Sequence, residues 1–120
     1  MTQANNMIDL LEAGIKVEGL RQTTIASNMA NLGTPGYRRL GVKFEEMLAK
    51  ALDSAGTADL SDIEPELFTP NDTPVKSNGN NVDLESEVGE LVKNSLRHTA
   101  YVRILQKKFA QIEAAMRISG

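Results

Sequence analysis

A chain of 120 residues is long enough for one domain, or one domain with an arm, and too short for two. Rings make up 4% of it and Trp is missing, so apolar surface is expected along helix seams rather than in an aromatic core. A net charge of -3 argues against a partner held by phosphate contacts, and the lack of cysteine removes disulfides and thiolate metal sites.

No apolar run approaches the length of a membrane span. The N-terminus has no charged start followed by a continuous apolar stretch, so a cleaved signal peptide is not expected.

Residues from about 4 to 32 read as one helix. Ala4, Ile8, Leu11, Ile15, Glu18, Gln22, Ile25, Met29 and Leu32 step alternately by four and three, as in a coiled-coil seam. Such a helix is about 43 Å long. Gly14 and Gly19 each weaken it by about 1 kcal/mol relative to Ala. It is therefore expected to need a partner helix.

The helix closes in Ala26, Ser27, Asn28, Met29, Ala30, Asn31, Leu32, Gly33, Thr34, Pro35, Gly36 and Tyr37. Gly33 suits a left-handed C-cap, and Pro35 cannot continue the helix. Pro35-Gly36 fits the centre of a type II turn. On physics alone, an ordinary helix terminus explains this stretch as well as a functional one does.

Beyond the turn, Arg38 and Arg39 leave a small basic spot. Val42 to Leu52 reads as a short amphipathic helix with Phe44, Met47, Leu48 and Leu52 on one side. From Asp53 to Asn81 no period survives: three prolines, two glycines and six acids against Lys76 describe an irregular surface region. A small hairpin between Leu67-Phe68-Thr69 and Pro74-Val75-Lys76 is the expected exception. Asp83 is a plausible N-cap for a second long helix to about Ile118. Its seam is regular: Leu84, Val88, Leu91, Ser95, His98, Val102, Leu105, Phe109, Ile112 and Met116. Acids gather at its start and bases later, the order the helix macrodipole favours.

The expected fold is mainly α, with two long terminal helices paired as an antiparallel coiled-coil-like hairpin. Residues 1–33 and 83–120 form its arms, and 34–82 supply the turn, the short helix and the irregular acidic region. Folding back places the two polar seam centres opposite each other, so Glu18 and Gln22 are expected to face Ser95 and His98.

No chemical constellation appears. His98 has no metal-ligating neighbour at helical spacing, and Ser27 has no base near it in sequence. Glu85, Glu87 and Glu90 read as dipole-favoured surface charge. No enzyme, cofactor, metal, small-molecule substrate or nucleic acid is expected. Seams that are long and too narrow to bury themselves fully in a two-helix hairpin point to association with copies or relatives, and a non-closing contact builds a filament. The alternative is a small helical adaptor or export chaperone that holds one partner.

The stretch ending the first helix resembles the signature of the bacterial flagellar axial proteins, the rod, hook and hook-associated subunits. Their N-terminal helices end in Asn-x-Ala-Asn-x-x-Thr-x-Gly-Tyr, matched here by Asn28, Ala30, Asn31, Thr34, Gly36 and Tyr37. Arg21 to Ile25, Asn78 to Glu85, Asn94 to Arg97 and Tyr101 are similar to the proximal rod members, two sister proteins that share the N-terminal signature. The short length agrees with them, and residues 53–75 have no match. The resemblance implies a structural subunit of the proximal rod in the periplasm, linking the inner-membrane ring to the distal rod and transmitting torque. It implies export through the flagellar type III gate without a cleaved signal. Its implied partners are copies of itself, other rod subunits, the inner-membrane ring with its rod adaptor, and the gate. Phe44 and Leu48 resemble the Phe-x-x-x-hydrophobic element by which early export substrates dock on that gate, and equally fit a core-facing i, i+4 pair. The assembly seams implied are Ile8, Leu11, Ile15, Ile25 and Met29 on one helix, and Val88, Leu91, Val102, Leu105, Phe109, Ile112 and Met116 on the other.

Overall fold

The computed structural model describes residues 2–53 and 63–119, with side chains over 7–50 and 63–118. Among the described residues, five elements follow in chain order: α1 (Thr2–Ala30), β1 (Gly41–Lys43), α2 (Glu45–Asp53), β2 (Glu66–Phe68) and α3 (Leu84–Ser119). The chain measures 66 × 28 × 15 Å, an elongated body set by its two long helices.

α1 and α3 lie antiparallel. Asn28 meets Glu87, Glu18 meets Asn94 and Arg97, and Gly14 meets Tyr101, so partners run backward along α3 as they run forward along α1. Asp83 caps α3, its carboxylate accepting from Ser86 N at 3.3 Å and from Ser86 Oγ at 2.6 Å.

The face of α3 turned to α1 differs from the expected seam. Glu87 and Asn94 are buried there and Arg97 and Tyr101 half-buried, whereas Ser95 and His98 are exposed. Gln22 is exposed too. The expected layer of Glu18 and Gln22 against Ser95 and His98 is therefore corrected: Glu18 pairs with Asn94 and Arg97, one residue earlier on α3. The reason lies in polar satisfaction. α1 buries the carboxylate of Glu18 and the amide of Asn28, and either one left unpaired costs about 1–3 kcal/mol or more. Turning Glu87, Asn94 and Arg97 inward satisfies both, at the cost of leaving apolar side chains outside. Gly14 assists the fit: a Cβ on it would lie 3.0 Å from the Tyr101 ring.

The expected hairpin also has another partner. Leu67 and Phe68 pair with β1, in an antiparallel register of Gly41 with Phe68, Val42 with Leu67 and Lys43 with Glu66. Pro74 lacks an amide proton for a ladder, while Gly41 to Lys43 carry a β-branched centre and full donors. Taking these three residues into a strand moves the start of α2 to Glu45. Lys43 Nζ sits 4.7 Å over the Phe68 ring. Among the described residues the apolar core is small, with Leu11, Val17, Ile25, Phe44 and Val82 buried, and polar side chains fill much of the remaining interior.

Candidate assembly site

The signature at the end of α1 folds into a joint closed by residues more than forty positions away. Gly33 is not in the left-handed region expected of it; among the described glycines only Gly36 (φ 75°) and Gly79 (φ 83°) are. The last carbonyls of α1, on Ser27, Asn28 and Met29, accept from the backbone N–H groups of Asn31 and Leu32, and the turn beyond the helix is braced by a side chain. The Asn80 amide donates to the carbonyl oxygens of Asn31 at 2.8 Å, Leu32 at 3.2 Å and Thr34 at 2.8 Å. Gly36 takes the positive φ of the Pro35-Gly36 turn, with Tyr37 N donating to Thr34 O at 3.3 Å. The two left-handed glycines meet. Gly36 N donates to Asn78 O at 2.8 Å, and a Cβ on Gly79 would come within 3.2 Å of Gly36 Cα.

Asn28 is the hub, fully buried, with every amide group used. Its Nδ2 donates to Leu40 O at 2.9 Å and Glu87 Oε2 at 3.2 Å, and its Oδ1 accepts from Tyr37 Oη at 3.0 Å and Leu40 N at 2.9 Å. Glu87, equally buried, accepts from Arg39 Nε at 2.7 Å, and Arg39 Nη1 reaches Asp72 at 3.0 Å. Asn81 Oδ1 receives Arg39 N at 2.6 Å, and Thr73 Oγ1 donates to Asn81 O at 2.6 Å. One asparagine thus ties α1, the β1 approach and α3 together.

A second polar centre lies about three helical turns back along α1. Glu18 accepts from Arg21 Nη1 at 2.7 Å, Arg97 Nε at 2.9 Å and Asn94 Nδ2 at 3.1 Å. Asn94 Nδ2 also reaches Glu18 O at 2.6 Å, and Arg21 bridges on to Glu45. Burial opposes the charge of Arg21, but its hydrogen bonds to Glu45 and Glu18 outweigh that cost and hold its pKa above the ordinary value. The same balance, with Glu87 and then Asp72 as partners, raises Arg39. The hydrogen bond from Arg21 holds the Glu45 carboxyl below its ordinary value. Among the described residues no buried side-chain N or O lacks a partner.

The remaining signature residues serve the turn or face solvent. Asn31 Nδ2 donates to Ser27 O at 2.8 Å, Thr34 Oγ1 donates to Asn31 Oδ1 at 3.0 Å, and Ser27 Oγ lies 3.3 Å from Tyr37 Oη. Ala26, Ala30 and Pro35 are exposed. Of the expected α1 seam, Leu11 and Ile25 are buried and Ile8, Ile15 and Met29 half-buried. On α3, Val102 and Leu105 are half-buried, whereas Val88, Leu91, Phe109 and Ile112 are exposed and do not pack into the hairpin. Met116 is exposed as well. Phe44 is buried beside a cavity of about 230 Å³ lined also by Ala13, Val17, Ile63 and Pro65, and Leu48 is half-buried. Sequence reasoning does not single out Arg39, Asn80, Asn81, Glu87 and Asn94 as site residues, yet they carry both polar centres. The density of Asn at 78–81 is a signal for Asn80 and Asn81, and the resemblance over Asn94 to Arg97 one for Asn94, whereas Arg39 and Glu87 carry none.

No family model matches the chain. Curated relatives span nearly all of it. A flagellar basal body rod protein FlgB of Borreliella burgdorferi is 27% identical over 135 residues, covering 98% of this chain and 100% of that protein. FlgB of Bacillus subtilis is 29% identical over 125 residues, covering 97% of each. FlgB of Aeromonas hydrophila is 24% identical over 114 residues, covering 86% of each. With the signature in place at the end of α1 and two long helices packed together, the chain is a relative of the flagellar basal body rod proteins named FlgB.

Proposed function

We propose that this chain, a structural subunit of the flagellar basal body rod, builds the proximal rod through the outer face of α3. The observation that carries this reading is an uncovered heptad seam. Leu84, Val88 and Leu91 step by four and three, Phe109 and Ile112 continue the same stripe about five turns on, and all five stay exposed because α1 occupies a different and more polar face of α3. A seam with no helix in it is an unfilled coiled-coil contact, here offered to copies of this chain and to other rod subunits. Those subunits, the inner-membrane ring and its adaptor are the partners proposed, and the periplasm the compartment. Two buried polar centres hold the hairpin to a single register, as a torque-bearing element requires. Export through the type III gate fits a chain whose hub forms only when its two ends meet. Phe44, buried in the folded chain, would then be read by the gate before folding. The role is structural rather than catalytic.

The chain has no cysteine, so single cysteines can be placed at Val88, Leu91 and Phe109 and labelled with a maleimide. In basal bodies isolated from cells expressing these variants, the chain is expected to copurify. The three sites should react in the isolated chain and be protected in the rod, while a cysteine at exposed Lys76 reacts in both. Equal labelling of the seam in both states would overturn the assignment of the face.

A further inference from the structure

Asn78-Gly79 is the one Asn-Gly pair in the sequence, and it stands in the connection that completes the joint. Asn78 is exposed. An asparagine before glycine is the pair most open to attack by its own backbone, because no Cβ shields the following nitrogen. We propose that Asn78 is a deamidation site, open while the chain is unfolded and closed by folding.

The step balances without any oxidant. The Gly79 backbone nitrogen gives up its proton and bonds to Asn78 Cγ. The Cγ–Nδ2 bond breaks, ammonia leaves, and a five-membered succinimide remains. One water opens the ring at either carbonyl, leaving an aspartyl or an isoaspartyl residue.

Folding withholds both reacting groups. Gly79 N–H donates to Lys76 O at 2.9 Å, and Asn78 Oδ1 accepts from Asn80 N at 3.1 Å. Ring closure needs the Gly79 nitrogen turned onto Cγ, so both bonds must open first, which slows the folded chain by about tenfold or more. Asn28, Asn80, Asn81 and Asn94 are buried with their amides engaged, and none precedes glycine.

The isoaspartyl product does not fit the joint. It reroutes the backbone through the side chain and adds one carbon ahead of Gly79. At that point Gly79 already touches Gly36, and Asn78 O receives Gly36 N at 2.8 Å. Asn80, two residues on from Asn78, is the clamp on the turn that follows α1. An isoaspartyl chain therefore leaves the turn after α1 unbraced.

The test incubates the full-length chain in mildly alkaline buffer, either native or in urea, and quantifies deamidation in tryptic peptide 77–93 by mass spectrometry. The unfolded chain is expected to react at least about tenfold faster. On return to native buffer, its isoaspartyl fraction should have lost amide-exchange protection over residues 28–36. Equal rates in the two buffers, or an isoaspartyl fraction that regains full protection there, would overturn the proposal.

Discussion

Replacing Asn28 by Asp removes one nitrogen and should disable the joint. The shape is kept, but two donated hydrogen bonds are lost, to Leu40 O and to Glu87. In their place a carboxylate oxygen faces the carbonyl of Leu40 and a second buried carboxylate. Each buried group left without a partner costs about 1–3 kcal/mol, so the loss is about 3–5 kcal/mol with the added repulsion. A domain of this size has about 5–15 kcal/mol in all. Urea unfolding followed by helix ellipticity should show the midpoint lowered by about 1 M or more. The sign with pH is set as well. Burial and the neighbouring carboxylate raise the folded-state pKa of the introduced carboxyl above its unfolded value of about 3.9. The penalty is therefore full above that raised value and shrinks as pH falls through it. Asn28→Ala should cost a similar amount with no such recovery. An Asn28→Asp chain as stable as the parent, or a penalty that does not change with pH, would refute the hub assigned to Asn28.

Other outcomes separate the positions that matter from those that do not. Gly19 has nothing within 4 Å of an added Cβ, so Gly19→Ala should raise stability by about 1 kcal/mol, while Gly14→Ala meets the Tyr101 ring and should gain nothing, compared by thermal unfolding. Phe109→Asp and Leu91→Asp should change the stability of the isolated chain by less than about 1 kcal/mol and yet prevent rod formation, since both side chains lie outside the hairpin. Normal motility in either would count against the α3 seam. Gly36→Val places a β-branched residue at φ 75° and should cost at least about 1–2 kcal/mol, read from the urea midpoint. Glu45 and Asp83 both have lowered pKa values, Glu45 through its hydrogen bond from Arg21 and Asp83 through Ser86. Their contribution is present above the ordinary carboxylate range and lost as pH falls through the lowered values. Glu45→Gln should flatten that acid limb slightly, the pair being largely exposed on the Glu45 side.

Periodicity is enough to read both long helices, because steps of three and four sustained over about thirty residues have no other explanation. Asp83 and Pro35-Gly36 are legible for a local reason: a cap and a turn depend on neighbours in sequence. The inward face of α3 is not. Heptad counting assumes that the apolar stripe is the buried one, but Glu18 and Asn28 need partners, and Glu87, Asn94 and Arg97 supply them. The bracing of the turn after α1 by Asn80 is hidden likewise, since its partners lie nearly fifty residues away. Gly33 suggests a left-handed cap, whereas α1 closes through the backbone N–H groups of Asn31 and Leu32 with no left-handed residue there. The strand at Gly41 to Lys43 is too short to show a period and takes its identity from Glu66 to Phe68.

Cells lacking the gene for this chain show whether it is a rod component. Electron microscopy of their isolated basal bodies should show the inner-membrane ring without a rod. Expression of this chain should restore rod and swimming, and the Asn28→Asp chain should not. Complete rods in the deletion cells would show that the rod is built without this chain.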